Sequence, residues 1–391
     1  MSEWFKNAGL GMFVHWGVYS ILGRGEWVMQ QEDIALDDYD KLIDQFQPDN
    51  FNADEWCQLA CEAGAEYVIL TTRHHDGVCL FDTKTTDRNT VARGAHRDFI
   101  REYADACRRH GLKVGFYYSL PDWSDPGFNG GLAGKDTPEY AHFIDNIYTQ
   151  IRELLTNYGK VDVLWYDGAP NLNGKSGYNA ETLRTEELAA MVRSLQPGII
   201  FNNRSCQPGD FHTAEQVLTP PEDPNRLWEG CITFGNHWAW CPHDDHLSRK
   251  TVFRVLLSMT GVAYNGGHML LNVGPDPSGK IPYEDQRAFR EIGAWVKKNR
   301  ESIKGMKNAR ISGATWGCAA RKGDFVYLYV HWRHESGEIV IPHCTEKFYR
   351  GEILEDGKPV TLTYDNRNRL IVSGIPAGYL LPVIKLYTKD E

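Results

Sequence analysis

The chain has 391 residues, enough for one large domain and a smaller one, with 42% hydrophobic and 24% charged residues, an ordinary globular balance. A formal net charge of -10 argues against a nucleic-acid partner, since a phosphate-tracking surface needs clustered Lys and Arg. No apolar stretch reaches the ~20 residues of a membrane span, and Met1 to Lys6 carries no basic segment leading into an apolar one, so no membrane partner and a cytoplasmic location are expected.

From residue 8 to about 303, short apolar strands alternate with amphipathic helices. The expected strands are Gly11–Trp16, Tyr67–Thr72, Lys113–Tyr118, Val161–Tyr166, Ile199–Asn203 and Met269–Val273. The expected helices are Ala53–Ala63, Arg97–His110, Pro138–Tyr158, Glu181–Ser194, Arg249–Met259 and Tyr283–Ile303. Asn52-Ala53-Asp54-Glu55 opens the first of these with acids that suit the positive end of a helix. Repeated strand–helix units imply an α/β fold with a parallel sheet. Long strand-to-helix loops over ~300 residues favour a (β/α)8-like barrel over a doubly wound sheet. No GxGxxG or GxxxxGK[ST] motif supports a nucleotide site.

After about residue 305 the texture changes to alternating, β-rich runs: Asp324–His331, Gly337–Pro342, Val360–Tyr364 and Leu380–Tyr387. They predict a small C-terminal antiparallel β-sandwich. The expected domains are therefore a barrel over 1–304 and a sandwich over 305–391. The nine Cys are scattered without a CxxC pair and read as free thiols in a reducing compartment.

The most telling segment is Val161-Asp162-Val163-Leu164-Trp165-Tyr166-Asp167-Gly168. A β-branched apolar run ends in an aromatic pair and one carboxylate, which puts Asp167 at the C-terminal lip of a buried strand. That lip is where barrel enzymes place their chemistry. Alone, such an Asp is equally a turn or helix-capping residue. The other strand ends shift the balance: His15-Trp16-Gly17, Arg73-His74-His75-Asp76, Tyr117-Tyr118-Ser119, Asn202-Asn203-Arg204 and Leu271-Asn272-Val273. Around one mouth these make a polar site with aromatic walls, suited to a small polyhydroxylated ligand. The 12 Trp and 19 Tyr suit sugar C–H faces, although aromatics also simply fill cores.

His74 and His75 beside Asp76 could ligate a metal, as could His243 and His246 in the Cys241–His246 loop. Consecutive strand residues point to opposite faces, however, and there is no His-x-His on strand one and no HExxH. No metal and no cofactor are expected. If Asp167 is a nucleophile, retaining glycoside hydrolysis needs a second carboxyl about 5–5.5 Å away. Asp210, Glu215 and Glu229, in the long loop expected after Arg204, are candidates, as is Glu26 beside Trp27. A Glu next to Trp gains the raised pKa a general acid requires through desolvation.

At this point the motifs resemble those of the α-L-fucosidases of glycoside hydrolase family 29. They are GMFVHWGVYS at 11–20, GEW at 25–27, RHHDGVCLFDTKTTD at 73–87, GFYYS at 115–119, VDVLWYDG at 161–168, NNR at 202–204, HTAE at 212–215, WEGC at 228–231 and LLNVGPDPSGKIP at 270–282. The resemblance covers roughly residues 8–300 and implies a retaining exo-α-L-fucosidase acting on small carbohydrate substrates, α-L-fucosides. It implies Asp167 as nucleophile and Glu215 as general acid/base, with Glu229 the runner-up. The fucose contacts it implies are His15, Glu26, Trp27, His74, His75, Tyr117, Trp165 and Arg204, with Phe13 and Trp238 walling the C6 methyl. The chain departs from the pattern at its N-terminus, where little precedes strand one to close the barrel bottom. A homo-oligomer is left open. Two other readings fit parts of the pattern: a fucose-binding protein without catalysis, and a metal-dependent barrel hydrolase.

Overall fold

The computed structural model describes residues 3–168, 178–243, 248–311 and 315–389. Eight parallel strands form one curled sheet: β1 (Leu10–Val14), β2 (Tyr67–Arg73), β3 (Lys113–Ser119), β4 (Val163–Asp167), β5 (Ile200–Phe201), β6 (His212–Glu215), β7 (Trp228–Ile232) and β8 (His268–Val273). Their order is β5-β4-β3-β2-β1-β8-β7-β6. The two ends meet through a single parallel bridge, Asn202 to Phe211, which closes the barrel. Two of these strands, β6 and β7, fall where the sequence reading placed a loop.

Strand alternation sorts the barrel into two cores. Leu10, Met12 and Val14 of β1, Val68 and Leu70 of β2, and Leu164 and Tyr166 of β4 face the surrounding helices. Phe13, Tyr67, Ile69, Tyr117, Val163, Trp165, Cys231 and Leu270 fill the interior. Gly11 has a specific task here. A Cβ on it would sit 2.2 Å from the Tyr67 ring, so only glycine lets that ring lie across the barrel floor.

The helices Ala53–Ala63, Phe99–Arg109, Pro138–Asn157 and Thr185–Leu195 follow β1 to β4, and Val252–Tyr264 and Tyr283–Asn299 follow β7 and β8. No helix separates β5, β6 and β7 among the described residues, so the (β/α) alternation lapses there. The helix expected from Arg249 starts at Val252, because Thr251 caps it by accepting from the Arg254 N–H. At the N-terminus, Glu3–Lys6 is a helical turn that drives Phe5 into the barrel bottom. Its ring lies 4.5 Å from Phe211 and 4.4 Å from His268. The expectation of an open bottom is thus corrected: one aromatic residue plugs it.

Residues 307–387 form two antiparallel sheets of five and three strands. Val326, Leu328, Val330, Ile384 and Leu386 of the larger sheet pack on Ile339, Ile341, Leu370 and Val372 of the smaller, giving a sandwich core. The alternate residues Tyr327 and Tyr329 turn to the barrel side. The Trp295 indole N–H donates to the Leu381 carbonyl at 2.8 Å across that contact. No helix among the described residues is long and apolar enough to cross a membrane.

Candidate active site

A cavity of about 210 Å³ opens at the C-terminal ends of the barrel strands. Its lining is Phe13, His15, Trp27, His74, His75, Tyr117, Trp165, Asp167, Arg204, Glu215 and Trp238. It is smaller than the ~300–1,000 Å³ typical of drug-sized ligands and suits a single sugar ring. The ends of β1 to β6 and the segment after β7 supply these side chains, which is why residues more than 200 positions apart share one pocket.

Asp167 ends β4 with its carboxylate held by two hydrogen bonds. Oδ1 accepts from Arg204 at 3.0 Å, Oδ2 accepts from the Tyr117 hydroxyl at 3.0 Å, and His75 Nε2 lies 3.6 Å from Oδ2. Burial pushes this carboxyl up, but the Arg204 charge and the two hydrogen bonds outweigh it, and its pKa lies below the ordinary aspartate value. The second arm of the same guanidinium reaches Glu215 Oε2 at 2.6 Å. Arg204 therefore bridges the two carboxylates, with its guanidinium 5.1 Å above the Trp165 ring. Gln216, with φ of 56°, turns the chain immediately after Glu215 and ends β6.

The aromatic floor follows from register. Tyr117 pairs with Trp165 across β3 and β4, and the rings stack at 5.6 Å. Phe13 meets the Trp165 edge at 5.0 Å and Trp238 at 5.8 Å.

The histidine tautomers are set by their neighbours. Asn272 donates its Nδ2–H to the Trp238 carbonyl at 2.6 Å, so its Oδ1 is the acceptor for His15 Nδ1–H at 2.7 Å. Ser119 donates to the Pro121 carbonyl at 2.7 Å, so its Oγ accepts from His75 Nδ1–H at 2.6 Å. Both rings thus keep the Nε2 lone pair free as a hydroxyl acceptor. Burial lowers each imidazole to about 4, so both are neutral near pH 7. His74 is held lower still, by burial and by its two histidine neighbours, and its Nδ1 is buried without a hydrogen-bond partner among the described residues. An unpartnered polar atom in a cavity wall is a place for a ligand hydroxyl. Asn272 and Ser119, which aim these rings, were visible only as strand-end residues in the sequence.

Three candidates from the sequence lie outside the cavity lining. Glu26 is buried, and its Oε2 accepts from the backbone N–H groups of Trp238 and Ala239, each at 3.0 Å, which fixes the segment carrying Trp238. Burial raises its pKa despite those bonds. Asp210 sits at the β5–β6 joint, taking the Phe201 N–H at 2.9 Å and Arg193 at 2.6 Å. Glu229 is fully buried beneath the cavity, inside the barrel on β7. Its Oε1 accepts the Trp165 indole N–H at 2.9 Å and its Oε2 the Tyr67 hydroxyl. Trp165 lines the cavity, whereas Glu229 does not.

No group of three or more His, Cys, Asp or Glu among the described residues could hold a metal ion. Asp244, Asp245 and His246 of the second His cluster lie outside those residues.

The family model for α-L-fucosidase matches residues 1–301. The chain belongs to the α-L-fucosidase family. Its fold matches the solved α-L-fucosidase isoenzyme 1 of Paenibacillus thiaminolyticus with a TM-score of 0.90 at 36% identity, over 99% of this chain and 98% of that one. A family 29 α-L-fucosidase from Bacteroides thetaiotaomicron, solved as a trapped covalent intermediate in complex with 2-fluoro-fucosyl fluoride, matches with a TM-score of 0.89 at 28% identity, over 99% and 95% of the two chains. The α-L-fucosidase of Dictyostelium discoideum is 26% identical over 412 residues, covering 95% of this chain and 88% of that protein. As an α-L-fucosidase this barrel is a glycoside hydrolase of family 29, and the single-sugar cavity is its candidate active site.

Proposed function

We propose that the enzyme is a retaining exo-α-L-fucosidase in which Asp167 is the nucleophile and Glu215 the general acid/base. The observation that carries this reading is the bridging of both carboxylates by Arg204 at the mouth of a blind, single-sugar cavity. Phe13, Tyr117 and Trp165 close the cavity floor, so a fucosyl unit enters only as a chain end. Asp167, kept ionised by Arg204 and by Tyr117, attacks the anomeric carbon as the glycosidic oxygen takes a proton from Glu215. Before this step Glu215 leaves Arg204, takes up a proton from solvent and turns toward the leaving group as the neutral acid. Water then enters, gives its proton to Glu215 and displaces Asp167, and two inversions return the α configuration.

Glu215 is favoured over Glu229 because its side chain is 35% exposed at the mouth. The hydroxyls of fucose meet the Nε2 acceptors of His15 and His75, while its C6 methyl lies on the wall of Phe13 and Trp238. Two carboxylates beside one cavity favour turnover over binding alone.

A direct test is incubation with 2-fluoro-fucosyl fluoride followed by peptide mapping. The expected result is one fluorofucosyl adduct, on the peptide carrying Asp167. Attachment to another carboxylate, or no adduct while turnover is inhibited, would sink the assignment.

A further inference from the structure

The three consecutive residues Asn202, Asn203 and Arg204 each fasten a different part of the catalytic pair. Asn202 is fully buried, and its side chain takes the place of a strand residue. Its Oδ1 accepts the Tyr166 N–H at 3.0 Å and its Nδ2 donates to the Tyr166 carbonyl at 2.9 Å. Tyr166 immediately precedes Asp167. Asn203 does the equivalent on the other side of the joint. Its Oδ1 accepts the Thr213 N–H at 3.0 Å, and its Nδ2 donates to His212 Nδ1 at 3.1 Å. Thr213 lies two residues before Glu215, on the same short strand.

These bonds matter because the backbone does little here. β5 has two residues, and β5 and β6 share one isolated bridge. Elsewhere in the barrel, neighbouring strands are held by ladders of two to six registered pairs. A parallel pair with one bridge leaves its register and tilt poorly specified. Asp210 fastens the lower end of the joint at Phe201. At the upper end, where Glu215 emerges, the Asn203 amide holds the β6 backbone, while Arg204 reaches only the Glu215 side chain.

We propose that Asn203 is a positioning residue for Glu215: it fixes β6 against β5 so that the acid/base meets the glycosidic oxygen, while Asn202 does the corresponding work for Asp167. This rests on the assignment of Glu215 made above. The two asparagines therefore act on different halves of the reaction. Loss of Asn203 weakens proton delivery to the leaving group. Loss of Asn202 weakens attack, whatever the leaving group. A misplacement of about 1 Å can cost on the order of 100-fold in rate.

The test compares kcat/KM for an activated substrate, α-L-fucosyl fluoride, with that for an alkyl α-L-fucoside, which needs a proton on its leaving oxygen. Asn203→Ala is expected to lower the alkyl-to-fluoride ratio by about 10-fold or more, and Asn202→Ala to lower both substrates alike. Asn203 is partly exposed, which favours a folded variant. If Asn203→Ala does not fold, Asn203→Ser, whose hydroxyl stops short of Thr213, is held to the same expectation. Glu215→Ala is measured in parallel. An unchanged ratio in Glu215→Ala overturns the acid/base assignment itself. A lowered ratio in Glu215→Ala, with both substrates slowed equally in the Asn203 variant, overturns the role given to Asn203 and leaves that assignment standing.

Discussion

The indole N–H of Trp165 donates to the carboxylate of Glu229 at 2.9 Å from beneath the active-site floor. The same Glu229 takes the Tyr67 hydroxyl on its other oxygen, with His268 Nε2 at 3.6 Å. Removing it leaves two buried donors unpaired, each costing about 1–3 kcal/mol. Glu229→Ala is therefore expected to lose several kcal/mol of stability, read by urea unfolding. Whatever activity it keeps should fall equally for good and poor leaving groups. A loss concentrated on poor leaving groups would restore Glu229 as the acid.

Asp167 presents the opposite balance. It lies at a strand tip and contributes little to the core, so Asp167→Gly should fold normally and lose turnover by about 1,000-fold or more. Azide, small enough for the vacated space, should recover part of the rate with an activated fucoside. Near-normal activity without azide would remove Asp167 from the mechanism.

The acidic limb of the pH profile should report the two histidines. His15 and His75 each titrate at about 4 and are neutral above it. As pH falls through that value both gain a proton on Nε2 and change from acceptors to donors, so the sugar hydroxyls that donate to them lose two acceptors. Asp167, held below the ordinary aspartate value, protonates lower still. The log of kcat/KM is thus expected to fall toward a slope of two near pH 4. NMR titration of the imidazoles checks this independently; a midpoint near the ordinary ~6.5 for either ring would contradict it.

Selectivity for the 6-deoxy sugar should come from Phe13 and Trp238. An α-L-galactoside carries a hydroxyl at C6 and must bury it against that wall, at roughly 1–3 kcal/mol, or about 10- to 100-fold in kcat/KM. Analogues lacking a ring hydroxyl leave the Nε2 of His15 or His75 unpaired and should suffer more. Equal penalties for the two kinds of change would undo this division of the pocket.

The parts of this enzyme legible in its sequence were those written in local pattern. β2 and β3 are rich in β-branched and aromatic residues, and their boundaries lie within a residue of expectation. β6 and β7 were illegible for physical reasons. His212–Glu215 is four residues long, and Trp228–Ile232 is interrupted by Glu229 and Gly230, so neither shows a strand's apolar signature. A buried Glu in a strand makes sense only once Tyr67 and Trp165, more than 60 residues away, are seen to bind it. The helix expected from Glu181 begins at Thr185, because the Asn179 side chain takes the N–H groups of Glu181 and Thr182 and holds a turn there. Strand-end chemistry placed His15, Asp167 and Arg204 at one mouth, whereas the aiming roles of Asn272 and Ser119 depend on partners that no spacing reveals.

The closure of the barrel by a single bridge also bears on how the enzyme would fail. Heat or denaturant would part the sheet first where the fewest backbone bonds hold it, between β5 and β6. Arg204 and Glu215 stand on opposite sides of that gap, so catalysis would stop while most of the tryptophans remained packed. Ligand protection should run the other way: a bound fucose analogue spanning both sides would close the gap and raise the inactivation temperature more than the temperature of bulk unfolding.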